Sequence, residues 1–262
     1  MQALQTIKKI SAKNLPPILV LSGDDIGQFE WMKEQLLKKV GYDSSDLNYS
    51  YFDMKETAYS EVELDLVSLP FFADEKIVIL DHFVDVTTAK KRYLTDDELQ
   101  SFEDYLSAPL ETTRLIVFAE GKLDSKRRIV KLLKRDAQVL EATELKEQEL
   151  RAHFTEEIKS LGLAIDSPAF EQLLIKSGFD FSEIQKNLEF LKTYKGASSI
   201  TISDIEEAIP KTLQDNLFDL IQMILKKEID PARSLVKDLR LQGEDEIKLL
   251  AILLSQFRIY TQ

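Results

Sequence analysis

The chain has 262 residues, 44% of them hydrophobic and 31% charged, a globular composition with ample length to bury a core. Lys and Arg number 34 against 46 Asp and Glu, a formal charge of −12 that on average repels a phosphate backbone, so any nucleic-acid contact has to be local or supplied by a partner. The absence of cysteine excludes disulfides, thiolate nucleophiles and Cys-ligated metal, and two histidines, His82 and His153, leave little from which to build a metal site.

The N-terminal stretch MQALQTIKKISAKN lacks the apolar centre of a signal peptide. No apolar run approaches the ~20 residues of a membrane span, so a reducing cytoplasm and no membrane partner are expected. Ile18 to Ser22 follows Leu15-Pro16-Pro17 and reads as a buried strand. After the turn Gly23-Asp24-Asp25, the residues Phe29, Met32, Leu36 and Val40 mark one face of a helix, with Gly41 at its C-terminal cap. Strands are predicted around Tyr49 to Met54, at Lys76 to Leu80, at Arg114 to Ala119 and at Val139-Leu140. Between them lie a short helix opened by a Ser60/Glu63 capping box, a helix marked by Leu99, Phe102 and Leu106, and another over Ser125 to Leu133. Strands alternating with helices imply a parallel sheet covered on both faces.

Beyond about Glu141 no strand is predicted. Leu150, Phe154, Ile158 and Leu161 form one helix face. Ser167-Pro168 opens a second helix, and Phe181, Ile184, Leu188 and Leu191 line a third. Ser203 with Glu206 reads as another capping box. Three more helical stretches follow residue 211: Asp230-Pro231 starts one, Gly243 ends it, and Ile247, Leu250, Leu254 and Phe257 face inward on the last. That last pattern reaches Gln262 without a cap, which predicts a third domain continuing beyond it. The fold class is thus α/β plus all-α, with an α/β domain over 1–141, a small helical bundle over 142–210 and the start of a helical domain over 211–262.

The turn after the first strand is where a nucleotide-binding sheet carries GxxxxGK[ST]. Here it holds Gly23 and Gly27 but no lysine or hydroxyl, and Asp24, Asp25 and Glu30 put negative charge where a phosphate would sit. Ile77-Val78-Ile79-Leu80-Asp81 and Leu115 to Glu120 each end in one acid rather than the pair that would complete an ATPase site. Asp81-His82 could suggest acid–base chemistry, but no nucleophile is in view, and a polar strand end suffices to explain it. Lys126-Arg127-Arg128 could touch a nucleic-acid backbone or form a solvated helix face. Leu69-Pro70-Phe71-Phe72 lies in a connection, and burial of both rings is the commonest fate of such residues. The other reading is an exposed, proline-stiffened aromatic plug of the kind that dominates interfaces.

Four segments together resemble the delta subunit of the bacterial DNA polymerase III clamp loader. Leu15 to Asp25 is similar to that family's opening strand and degenerate phosphate loop, and Ser68-Leu69-Pro70-Phe71-Phe72-Ala73-Asp74-Glu75-Lys76-Ile77-Val78 to its clamp-binding segment. Asn187-Leu188-Glu189 through Tyr194, with Ile200-Thr201, resembles its second domain. Leu241-Gln242-Gly243-Glu244 with Gln256-Phe257-Arg258 resembles its third. The resemblance implies an AAA+-like domain without a working ATPase site, no cofactor and no catalytic residues. It further implies contact with the sliding clamp (the beta subunit) through Leu69, Phe71 and Phe72, and opening of that ring for loading onto primed DNA. The implied companions are the gamma/tau motor subunits, delta-prime and, within the assembled complex, primed DNA. An active AAA+ ATPase or nucleotide switch is the alternative, opposed by the missing GK[ST]; a direct DNA-binding module is a third reading, opposed by the net charge.

Overall fold

A computed structural model of the chain describes residues 1–262 apart from 72, 197, 211, 212, 242, 244, 246, 248, 251, 252 and 255–262, and apart from the side chains of 213–215. The first part runs α1 (Gln2–Lys9), β1 (Ile18–Gly23), α2 (Ile26–Val40), β2 (Tyr49–Asp53), α3 (Tyr59–Val67), β3 (Lys76–Asp81), α4 (Asp96–Ser107), β4 (Thr113–Glu120), α5 (Arg128–Asp136) and β5 (Gln138–Ala142). Helices α6 (Glu147–Ser160), α7 (Ser167–Lys176), α8 (Phe181–Lys195), α9 (Ile202–Ala208), α10 (Leu213–Leu225) and α11 (Ile229–Leu241) follow. The chain divides into two compact units, Met1–His153 and Phe154–Gln262.

All strand pairs in the first unit are parallel, in the order β2-β3-β4-β1-β5. β1 and β3 are buried along their whole length, which is why they read as unbroken apolar runs rather than as alternating ones. One face of the sheet packs Val20, Val78, Leu80, Leu115 and Val117 against α3, α4 and α5. The other carries α2, which contacts β1, β4 and β5, with α1 beside it. This is the parallel sheet covered on both faces that the alternation of strands and helices predicts. Helix α1 was not among the expected elements: Leu4 and Ile7 are fully buried, but the segment around them is polar and short.

Local chemistry sets the ends of the elements. Asp25 caps α2 by accepting from the Gln28 N–H at 2.9 Å, and Gly41 closes the helix in the left-handed region, at φ 74°. Two expected capping boxes are displaced. Helix α3 begins after Ala58, with no side-chain cap, and Glu63 accepts from Ser101 instead. Thr201 with Asp204, not Ser203 with Glu206, forms the box that starts α9. Helix α5 starts at Arg128 rather than Ser125, because residues 124–127 form a turn closed by the Arg127 N–H to the Asp124 carbonyl.

In the second unit, Asp166 caps α7, with Pro168 in the first turn, and Asp180 caps α8, whose Phe181, Ile184, Leu188 and Leu191 are all buried. Lys176, almost wholly buried, donates to the carbonyls of Ile205 at 3.2 Å, Glu206 at 3.1 Å and Ile209, so it satisfies the open C-terminal end of α9. Leu217, Leu220, Leu239 and Leu249 form a separate small core with α10 and α11. The inward face of the last stretch is therefore shifted. Leu249 is buried, whereas Ile247, Leu250 and Leu254 are exposed and Phe257 lies outside the described residues.

Gly23 is the most constrained position of the sheet. Its φ is +144°, and a Cβ there would lie 1.9 Å from the Ala142 carbonyl oxygen. Gly23→Ala should cost about 2–3 kcal/mol or more, because both the backbone and the neighbouring strand must move. Denaturant unfolding of the variant against the parent checks this, and an unchanged midpoint would refute it.

Candidate functional site

The segment from 68 to 75 joins the C-terminus of α3 to the start of β3. Tyr59, Val62 and Leu66 turn the inner face of α3 into the core, leaving Leu64 and Val67 on the outer face, both more than half exposed. Ser68 ends the helix by donating its N–H and hydroxyl to the Asp65 carbonyl, at 3.1 and 3.0 Å. Beyond it, Leu69 is 65% exposed and Phe71 is 89% exposed; Phe72 lies outside the described residues. Leu64, Val67, Leu69 and Phe71 are thus exposed on consecutive stretches of one helix end and one connection.

Both ends of this connection are fastened by charge-assisted hydrogen bonds. The ammonium of Lys76, buried at the first residue of β3, donates to Ser68 Oγ at 2.8 Å, to Asp65 Oδ1 at 3.2 Å and to the Asp65 carbonyl. Arg114 of β4 forms a two-pronged pair with Glu75, Nε to Oε2 at 3.0 Å and Nη2 to Oε1. The hydrogen bond from Arg114 holds the Glu75 carboxyl below its ordinary value. A lowered carboxylate value means that this fastening is present above pH 4.5, the ordinary value, and is lost as the pH falls through the lower value of the folded state.

The turn after β1 is closed to phosphate. Only Asp24 and Asp25 separate β1 from α2, and the Asp25 carboxylate already occupies the Gln28 N–H at the helix N-terminus. Gln28, itself buried, donates Nε2 to the Thr143 carbonyl at 2.7 Å. The depression beside this turn is lined by Ser22, Gly23, Asp24, Lys122, Glu141 and Glu144, among others. Its three carboxylates face two lysines, Lys122 and Lys134, so the lining carries a small negative excess.

Asp81 and His82 form an internal network. The Asp81 carboxylate accepts from Lys33 Nζ at 2.7 Å, from the Tyr51 hydroxyl and from the His82 N–H at 2.9 Å. His82 sits in the left-handed region at φ 55° and places Nδ1 3.0 Å from Asp53 Oδ1. Burial, with the hydrogen bond to Asp81, pushes the Tyr51 hydroxyl far up. Partial desolvation opposes ionisation of Asp53, yet the Lys55 N–H and His82 hold it below its usual value. Among the described residues no hydroxyl nucleophile reaches His82, and no three His, Asp or Glu side chains converge as a metal site.

Two family models match the chain. "DNA polymerase III, delta subunit" covers residues 19–143, and "DNA polymerase III delta subunit, C-terminal domain" covers 214–262. The chain belongs to the DNA polymerase III delta-subunit family. It is 28% identical over 225 residues to the DNA polymerase III subunit delta of Bacillus subtilis (strain 168), covering 85% of this chain and 65% of that one. It is also similar to the solved Bacillus subtilis DNA clamp loader delta protein (YqeN), with a TM-score of 0.67 and 26% identity over 98% of this chain and 76% of the other. The chain therefore spans somewhat less than two thirds of the curated relative.

Within this delta-family domain the connection at 68–75 falls inside the first matched region, as do the closed turn and the Asp81 network. The sequence singled out Leu69, Phe71 and Phe72 but not Leu64, Val67, Lys76 or Arg114. A signal existed for the first two: Leu64 and Val67 are three apart and lie off the 59-62-66 face, an apolar pair with no place in the core. Lys76→Ala leaves Asp65 Oδ1 and Ser68 Oγ without this donor, at a cost of about 1–3 kcal/mol. It should speed amide exchange and proteolytic cutting across 68–75 while β1 and β4 stay protected. Unchanged exchange in the connection would show that Lys76 does not fasten it.

Proposed function

We propose that this chain acts as the delta subunit of a clamp loader, binding the sliding clamp through Leu69, Phe71 and Phe72 and opening the ring for loading onto primed DNA. The observation that carries this reading is the exposed Leu69 and Phe71 on a connection fastened at both ends by Lys76 and by the Glu75–Arg114 pair. Exposed apolar anchors on a pre-ordered segment lose little entropy on docking, and a few such side chains dominate an interface. Leu64 and Val67 extend the same apolar surface along α3.

Ring opening by this route needs no catalysis in the chain. A ligand shifts an equilibrium only by its differential affinity, so the subunit has to bind the opened clamp interface better than the closed one. Nucleotide energy then enters through partner subunits, the gamma/tau motors, with delta-prime completing the assembly. Each partner, the cytoplasmic location and the non-enzymatic role belong to this proposal. So does the division into domains over 1–141, 142–210 and 211–262, the last of which holds the separate core around Leu217 and Leu239.

The Phe71→Ala, Phe72→Ala double variant should bind the organism's own clamp roughly 30-fold or more weakly, since anchors of this type contribute ~2–4 kcal/mol. Its unfolding should shift by no more than about 0.5 kcal/mol, as for a surface change. A melt lowered by the ~3–5 kcal/mol of a core aromatic would overturn the plug. Retained clamp affinity would overturn it equally.

The alternative, an active AAA+ ATPase or nucleotide switch, is opposed by the Asp25 cap on α2 and the carboxylates around the turn. ATP at one hundred times its dissociation constant would stabilise a binding protein by about 2.7 kcal/mol. No such gain is expected for this chain with millimolar ATP, and a clear rise in melting temperature would favour the alternative.

A further inference from the structure

A small depression of about 210 Å³ opens beside the 68–75 connection, at the edge of the sheet where its strands begin. Three segments distant in sequence border it: the stretch before β1, the turn before β2 and the connection itself. Exposed Ala12 and Ala73 lie on its rim, and Ile77 of β3, almost wholly buried, lies at its base. The Ile77 N–H ties the turn before β2 to this edge by donating to the Asn48 carbonyl at 2.9 Å.

The charged and hydroxyl groups around the depression are already engaged. The Glu75 carboxylate is held in its two-pronged pair with Arg114. Asp46 Oδ1 accepts the Asn48 N–H at 2.9 Å and Asn48 Nδ2 at 2.8 Å, and the Tyr49 hydroxyl donates to the Val40 carbonyl at 2.7 Å. A charged group entering here would leave water without gaining a free counter-charge, which is costly. What remains on offer is apolar contact from the two alanine methyls, the Tyr49 ring and Ile77. The volume falls below the roughly 300–1,000 Å³ of small-molecule pockets and suits a single side chain.

The depression is continuous with the surface proposed to meet the clamp. Ala73 stands two residues beyond Phe71 in the same fastened connection. On the other bank Leu47 is 76% exposed, between Asp46 and Asn48, both of which line the depression. Apolar projections therefore stand on both sides of an apolar recess. Such relief fits a partner of the reverse shape, as the close-packed centre of an interface requires.

We infer that the depression is a socket for one uncharged apolar side chain of the same clamp that receives the plug. The contact is then reciprocal: Phe71 projects into the clamp, and the clamp projects between Ala12 and Ala73. The inference rests on the clamp reading and adds to it Ala12 and the turn before β2, which the 68–75 connection does not contain. Two interlocked contacts also fix the direction in which the clamp is held, which one projecting anchor does not.

The test uses the full chain and the organism's own clamp. Ala12→Leu and Ala73→Leu, made separately, each fill the socket. Each should weaken clamp binding roughly tenfold or more, the cost of one lost anchor, and keep the parent's melting temperature. Ala12→Gly leaves the socket open and should bind nearly as the parent does. Because the chain has no cysteine, Ala12→Cys supplies a unique thiol, and bound clamp should protect it from iodoacetamide. Parent-like affinity in both leucine variants would overturn the socket, as would unaltered reactivity of the Ala12→Cys thiol in the complex. Lowered melting temperatures in both leucine variants would show a packed recess rather than an open one, and would overturn it too. If the Phe71→Ala, Phe72→Ala variant still loses binding in any of these cases, the plug stands without the socket. A parent chain that does not bind the clamp would overturn both.

Discussion

No side chain fits at position 23. The Ala142 carbonyl lies where a Cβ would be, and Gly23 and Gly121 exchange N–H···O bonds at 3.0 and 2.7 Å across the strand ends. This contact seats the exit of β5 against the exit of β1 and leaves two residues for the passage into α2. With the Asp25 cap and the buried Gln28 amide added, the place where a related sheet would cradle phosphate is filled by the chain's own backbone and carboxylates. The parallel sheet serves here as a scaffold. Its ends, not its first turn, carry the exposed chemistry.

A parallel sheet separates those ends by construction. Every strand enters on one edge and leaves on the other, so connections before β3 and after β3 cannot share a surface. Lys76 at the entry and Asp85 just past the exit show the same device at each edge. A buried charged group accepts or donates several hydrogen bonds from an irregular segment and fixes it, replacing the regular backbone pairing that the segment lacks. Buried charges of this kind are costly unless so fully engaged, which is why each reaches two or more partners.

The sheet was legible because its central strands are unbroken apolar runs, and the long helices because their buried faces repeat at helical spacing. The caps were less so. Ser60 and Ser203 match the capping-box pattern, but tertiary partners decide where a helix starts: Glu63 is engaged by Ser101, and Asp204 serves Thr201 and Lys195. Exposure of Phe71 was not legible from spacing, since two phenylalanines in a connection pack inward as readily as outward. Here the core beneath is already filled by Tyr59, Val62 and Leu66 from α3. Lys126-Arg127-Arg128 read as one basic cluster, yet Arg127 is drawn inward by Asp85, and the surface charge is completed by Lys90 and Lys91 from a segment more than thirty residues earlier. Only the fold brings them together.

Fastening matters to function through entropy rather than contact area. An apolar side chain on a free loop has to lose backbone and rotamer freedom when it docks, at about 0.5–1.5 kcal/mol for each side chain immobilised. Where Lys76 and Arg114 have already fixed the ends of the connection, part of that loss is met during folding, and more of the docking energy is left to discriminate between two forms of a partner. That discrimination, not tightness alone, is what the proposed clamp contact has to supply.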